Sequence, residues 1–259
     1  MLFIVLIGLF SCALAEPTET RVVGGSSVAI EEYPFIAVVQ RVFDEVWWEQ
    51  TCAGTLITQV VVLSAAHCFE SEPPHLWRIR LGSRMASSGG SLHTVQRIVL
   101  HPDFHYLYND VALVRLSVPA VISSTVNRAR IAGVNYNLAD GTVVRVAGWG
   151  ANMFRVSSEI LLSAEIRIFN QQLCAERWAH LKTQPGQERW PDITDGMICA
   201  GIDGVGHCSG DSGGPVVHQN DIVIGIVSFT YICGHHKYPG VHARVSYYSD
   251  WIANTANSL

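Results

Sequence analysis

"GHCSGDSGGP", Gly206 to Pro215, sets one serine among glycines and beside an aspartate. Four of the nine residues from Gly206 to Gly214 are glycine. A tight turn needs one or two, and each glycine costs conformational entropy to order. So dense a cluster implies that the main chain itself must pass close to something. Gly-Asp-Ser-Gly alone also fits any tight loop, so its meaning depends on what surrounds it.

The chain has 259 residues, 49% of them hydrophobic, enough for one substantial core or two smaller ones. Residues 1–15, "MLFIVLIGLF SCALA", form an apolar run too short to span a bilayer and end in the small-x-small pattern Ala13-Leu14-Ala15. They read as a secretory signal, with a membrane anchor as the competing reading. No later run is long enough to span, so no membrane partner is expected. Six cysteines follow the signal: Cys52, Cys68, Cys174, Cys199, Cys208 and Cys233. An even count in an exported chain reads as disulfides, although spacing leaves the pairing open. No Cys-x-x-Cys pair occurs, which argues against structural zinc. The net charge is −5 and there is no basic run, so nucleic acid is not an expected partner.

Beyond a short polar piece, "EPTETR" (16–21), the chain reads as short β-rich runs cut by turn residues. Examples are "FIAVV" (35–39), "VVVLS" (60–64), "VALVRL" (111–116), "VVRVAGW" (143–149), "AEIRI" (164–168), "IVIGIVS" (222–228) and "VHARV" (241–245). Glu165-Ile166-Arg167-Ile168 alternates strictly, which marks one buried and one wet face. Helical spacing emerges only near the end, where Tyr248, Trp251 and Ile252 predict a helix over about 246–256. Two antiparallel barrels and one large sandwich both fit.

Three segments carry chemistry. "VLSAAHCF" puts His67 directly after an apolar strand, "YNDVALVRL" puts Asp110 directly before one, and "GDSGGP" holds Ser212. A serine hydroxyl is a poor nucleophile until a base takes its proton, and imidazole titrates near neutral pH. A buried carboxylate fixes the imidazole tautomer and stabilises the imidazolium that forms. Attack on a carbonyl develops an oxyanion that needs two backbone N–H groups, here Gly210 and Ser212. The glycines clear space for that anion. Taken singly, a histidine among eleven is usually structural and Asn-Asp is usually a turn.

Together with "RVVGG", "SAAHC", "NDVALVRL", "AGWG", "IVSF" and "YPGVHARV", these motifs make the chain from Val22 onward resemble the trypsin/chymotrypsin-type serine proteases. The resemblance implies an all-β fold of two antiparallel Greek-key six-stranded β-barrels, about 22–130 and 131–245, with a C-terminal α-helix. It also implies disulfides Cys52–Cys68, Cys174–Cys199 and Cys208–Cys233, and Ser228 as support for Asp110. Cleavage after Arg21 would free the Val22 amine to pair with Asp211, making 16–21 an activation propeptide. The implied protein is a secreted, extracellular, monomeric endopeptidase without cofactor, acting through an acyl-enzyme. Its expected partners are protein or peptide substrates, an activating trypsin-like protease and protein protease inhibitors. Two alternatives are a narrow-specificity cascade protease and a non-catalytic homologue kept for binding.

The same match places Gly206, His207, Ser228, Thr230 and Gly240 around the substrate pocket. Trypsins have an aspartate where Gly206 stands, so cleavage after Lys or Arg is not expected. An uncharged pocket for Leu, Phe or Tyr is. Thr230 takes up space on one side and tilts the reading toward a narrower, elastase-like pocket. His207 points in and shortens it, donates hydrogen bonds to a polar side chain, or turns to solvent, and if protonated at mildly acidic pH it would favour Glu or Asp. "LGSRMASSGGSLHT" lacks the carboxylates with which trypsins hold calcium, so no metal is expected there. The stretch between Cys174 and Cys199 is long, charged and Pro-containing, and reads as a surface loop or as a wall for extended substrates.

Overall fold

The computed structural model describes residues 23–151, 157–201 and 204–259. The signal, the 16–21 segment and Val22 lie outside them. After a two-residue strand β1 (Ser26–Ser27) come β2 (Ile36–Phe43), β3 (Trp47–Leu56), β4 (Val61–Ser64), β5 (Trp77–Leu81), β6 (Ser91–Leu100) and β7 (Ala112–Leu116). These six close into a barrel in the order β2-β3-β4-β7-β6-β5. Ala37, Val39, Leu56, Val62, Ile79, Leu81 and Val114 share its core, while the alternate residues Ile36, Val38, Val61, Leu63 and Leu113 belong to the other main core. Burial on both faces is why "FIAVV" and "VVVLS" are unbroken apolar runs rather than alternating ones.

The second half contributes β8 (Arg130–Ile131), β9 (Val143–Gly148), β10 (Leu162–Arg167), α1 (Gln171–Lys182), β11 (Met197–Ala200), β12 (Pro215–His218), β13 (Ile222–Phe229), β14 (Gly240–Arg244) and α2 (Val245–Ser258). Its sheet runs β1-β10-β9-β12-β13-β14-β11, with β8 added parallel to β13. An antiparallel bridge from Ile168 to Ala200, with Phe169 N–H donating to Cys199 O at 2.8 Å, brings β11 back to the end of β10. The two-barrel architecture with a terminal helix is the one the sequence implies. All three implied disulfides are present.

Helix α1 was not anticipated. Its start is signed by Asn170, whose side chain accepts from Leu173 N–H at 2.9 Å. Cys174, Trp178 and Leu181 face the protein at helical spacing. Trp178 is fully buried and donates through Nε1 to Pro239 O at 3.2 Å. Trp190 then stacks on Phe229, centroids 5.9 Å apart, and Asp192 N–H donates to Tyr108 Oη at 2.8 Å. The stretch read as a surface loop thus begins in helix and continues as a flap packed on Phe229, the residue after Ser228. Charged outer positions on α1 masked its narrow apolar face.

Where the sequence lacks the carboxylates of a calcium loop, the chain places a cation of its own. Arg80, 6% exposed, donates to the carbonyl oxygens of Gly89 and, at 2.7 Å, Ser87. Ser83 Oγ donates to Ser88 O at 2.6 Å and closes the same turn. Arg80→Met, which removes these charge-assisted bonds, is expected to cost about 2 kcal/mol, roughly 4–8 °C in a thermal melt. Adding EDTA to the native protein is expected to leave that melt unchanged.

Candidate active site

His67 sits in a short helical turn straight after β4, and Asp110 immediately precedes Val111 and β7. Adjacent strands β4 and β7 therefore deliver both to one edge of the first barrel. Asp110 is 2% exposed and accepts three hydrogen bonds. His67 donates from its backbone N–H to Oδ1 at 2.8 Å, and the ring Nδ1 lies 2.7 Å from Oδ2. Ser228 Oγ donates to Oδ2 at 2.5 Å from strand β13 of the other barrel. Tyr248 on α2 supports the neighbouring residue, donating to Asn109 Oδ1 at 3.0 Å. Burial disfavours the charged form of His67, but the hydrogen bond and charge of Asp110 outweigh it and hold the imidazole above its ordinary pKa.

Ser212 reaches this edge through the backbone. Its carbonyl accepts from Ala53 N–H at 2.8 Å and lies 3.9 Å from Cys68 Sγ, which is itself 4.0 Å from His67 Nε2. The approach depends on Gly213. A Cβ there would fall 2.1 Å from Ser64 Oγ and 2.4 Å from Ala53 O, and φ is +79°. The Ser212 hydroxyl is half-buried and makes no hydrogen bond to protein among the described residues. The N–H groups of Gly210 and Ser212 likewise donate to no protein acceptor among them. Gly210, at φ +93°, is steadied by Gln50, whose Nε2 donates to Gly210 O at 2.6 Å. Nothing in the sequence singles out Gln50; only the fold brings it there. The sulfurs of Cys52 and Cys68 and a ring nitrogen of His67 lie within 4.8 Å of one another. Both sulfurs are engaged in the S–S bond, so the thiolates a soft metal needs are missing.

Asp211 has no exposed surface. Gly150 N–H donates to Oδ1 at 2.7 Å and Cys208 N–H to Oδ2 at 3.0 Å. The chain makes room by glycine: a Cβ on Gly148 would fall 2.1 Å from Oδ1, and one on Gly150 2.3 Å from Cγ. Burial raises this carboxyl to about 6 despite the two bonds. The "AGWG" motif is therefore a socket for Asp211, a role its sequence does not disclose.

Of the residues the resemblance assigns to the pocket, Gly206 is buried and its N–H donates to Val23 O at 3.1 Å. Gly234 is the nearest neighbour of a Cβ built there, at 3.7 Å. Thr230 turns its hydroxyl to Ile232 O at 3.1 Å. His207 is 3% exposed, which excludes the solvent-turned orientation. Burial drops it to about 4, so it carries no charge at pH 6 and cannot recruit Glu or Asp there.

The family model described as Trypsin matches residues 22–252. Over 98% of its length the chain is 38% identical to "Trypsin, alkaline A" of Manduca sexta, 99% of which is covered. It is also 38% identical to "Trypsin CFT-1" of Choristoneura fumiferana, with 98% of each chain covered. A "Vitellin-degrading protease" of Bombyx mori is 32% identical, with 98% of this chain and 93% of that one covered.

Gly150→Ala is expected to drive the Asp211 carboxyl from its socket. The cost is about 3 kcal/mol of stability, the upper end for an overpacked core site, read by urea unfolding with Gly133→Ala, where a Cβ meets nothing within 4 Å and φ is not positive, as the open-space comparison.

Proposed function

This chain belongs to the trypsin family of serine proteases, and on that premise we propose that it is a secreted endopeptidase working through Ser212, His67 and Asp110. The observation that carries the assignment is the His67–Asp110 pair at 2.7 Å, braced by Ser228, beside two unengaged backbone N–H groups. Ser212 Oγ attacks the scissile carbonyl carbon while His67 Nε2 takes its proton. The carbonyl π electrons pass to oxygen, which accepts hydrogen bonds from Gly210 and Ser212 N–H. Collapse of the tetrahedral species breaks the C–N bond, and His67 returns the proton to the leaving amine. Water repeats the sequence on the acyl-enzyme and releases the acid. The Ser212–His67 contact closes in the substrate complex, as free-enzyme catalytic hydrogen bonds commonly do.

Export is supported by the 1–15 run and three disulfides, and no helix among the described residues is long and apolar enough to cross a membrane. The relatives' names suggest cleavage after Lys or Arg. Against that, Gly206, His207, Gly234 and Gly240 offer no carboxylate, which favours an uncharged pocket for apolar or aromatic residues. Protein substrates, a trypsin-like activator and protein inhibitors are the partners this reading entails.

Activation follows from Asp211. A buried carboxylate with two N–H donors and no cation beside it among the described residues calls for one, and the amine of Val22, freed by cleavage after Arg21, is the candidate. Losing one partner of a buried pair costs about 3–5 kcal/mol, enough to disorder the Gly210–Ser212 backbone.

Two measurements test this reading. An organophosphonate is expected to label Ser212, and kcat/KM to fall on the acid side with an apparent pKa above 6.5, because the base must be neutral. Asp110→Asn should lower that apparent pKa and cut kcat by about 10⁴; an unlabelled serine or an unmoved acid limb would refute the assignment. The second uses uncut Arg21→Gln precursor. With Asp211 at about 6 when folded against 3.8 unfolded, its stabilising contribution is complete below pH 4 and lost as pH rises through 6. The loss is about 3 kcal/mol. The cleaved protein should not show it, and equal pH curves for both forms would dismiss the ion pair.

A further inference from the structure

Two imidazoles lie at the substrate pocket without a part in the chemistry described so far. His207 and His242 meet edge to face, with centroids 4.8 Å apart at 63°. They are 3% and 0% exposed, and burial keeps both neutral. His207 Nε2 is buried without a hydrogen-bond partner among the described residues, while the backbones of Phe229 and Ala200 lie against His207 and His242 respectively. Unpaired buried polar atoms weaken a fold, so stability does not account for the pair.

Gly240 reveals where the His207 ring is parked. A Cβ built on Gly240 would fall 2.4 Å from His207 Cε1 and 2.8 Å from Nδ1. The imidazole therefore occupies the space that the glycine leaves open. Gly240 and His242 are two apart on β14 and so share a face of the sheet. His207 packs against both. The room that Gly240 leaves for a flat ring is therefore already filled from within.

We propose that His207, held in position by His242, is the floor of the pocket and makes it short, so that the enzyme prefers to cut after compact aliphatic residues, Ala, Val or Leu, over Phe and Tyr. This rests on the uncharged-pocket reading and narrows it. A phenyl ring needs the depth that the imidazole takes up, whereas a branched aliphatic side chain ends above it. Being neutral, the floor supplies no counter-charge to Lys, Arg, Asp or Glu. His242 acts as a positioning residue: without its edge-to-face contact the His207 ring is free to leave Gly240.

The test uses activated enzyme and peptides differing only before the scissile bond. Leu is expected to exceed Phe in kcat/KM by about tenfold or more, within the 10–200-fold that apolar pocket fit supplies. His207→Ser should raise the Phe/Leu ratio at least tenfold. His242→Ala should raise it too, while His242→Phe, which keeps a ring against His207, should hold the native ratio. Wild-type preference for Phe or Tyr, or an unchanged ratio in His207→Ser, overturns this inference alone. Preference for Lys or Arg overturns the uncharged-pocket reading beneath it. Should His207→Ser not fold, the wild-type series decides.

Discussion

Everything at the site is referred to one carboxylate. Asp110 receives the backbone and ring of His67 from the first barrel and the hydroxyl of Ser228 from the second. Those bonds do two jobs at once. They satisfy a charge that would be too expensive to bury unpaired, and they register the two barrels against each other at the cleft. Because Asp110 and His67 lie on adjacent strands, the first barrel alone fixes their distance. Ser228 then fixes the second barrel relative to both. Tyr248 of the final helix supports the adjoining Asn109, so the chain's last element bears on the same point.

The serine loop obeys a different constraint. Its glycines are required by crowding rather than by the turn itself. Gly213 passes within van der Waals limits of Ser64 and Ala53, and Gly148 and Gly150 leave a hole that Asp211 fills. Conformational entropy lost at these positions is offset by what becomes possible: backbone N–H groups without protein acceptors among the described residues, and a carboxylate buried against the Gly150 and Cys208 N–H groups. A buried acid raised to about 6 is a poor component of a stable resting fold and a good component of a switch.

Specificity shows how a pocket differs from a motif. Gly206 and Gly240 suggest space when read along the chain, yet the His207 ring lies where a Cβ on Gly240 would stand. The flap after Cys174 is a parallel case. Its charges and proline suggest a solvated loop, yet Trp178 and Trp190 pack it onto Phe229, next to Ser228. In both, a side chain from a distant segment decides the outcome, and no local pattern records its direction.

The sequence by itself determined the strand-rich character, the even number of cysteines after the first fifteen residues and the His67, Asp110 and Ser212 segments, because periodicity and special backbone residues are local properties written residue by residue. Resemblance to a family added the two barrels and the disulfide pairing, which spacing alone leaves open. Only the tertiary structure decided the Gln50 brace on Gly210, the glycine socket of Asp211, the Arg80 cation within its turn and the His207–His242 contact. The Arg80 turn closes over seven to nine residues, and the other three are packing relations between segments tens of residues apart in the chain. Such contacts depend on which face a side chain presents after the sheets close, and that is settled by the whole fold's need to fill volume and satisfy buried polar groups.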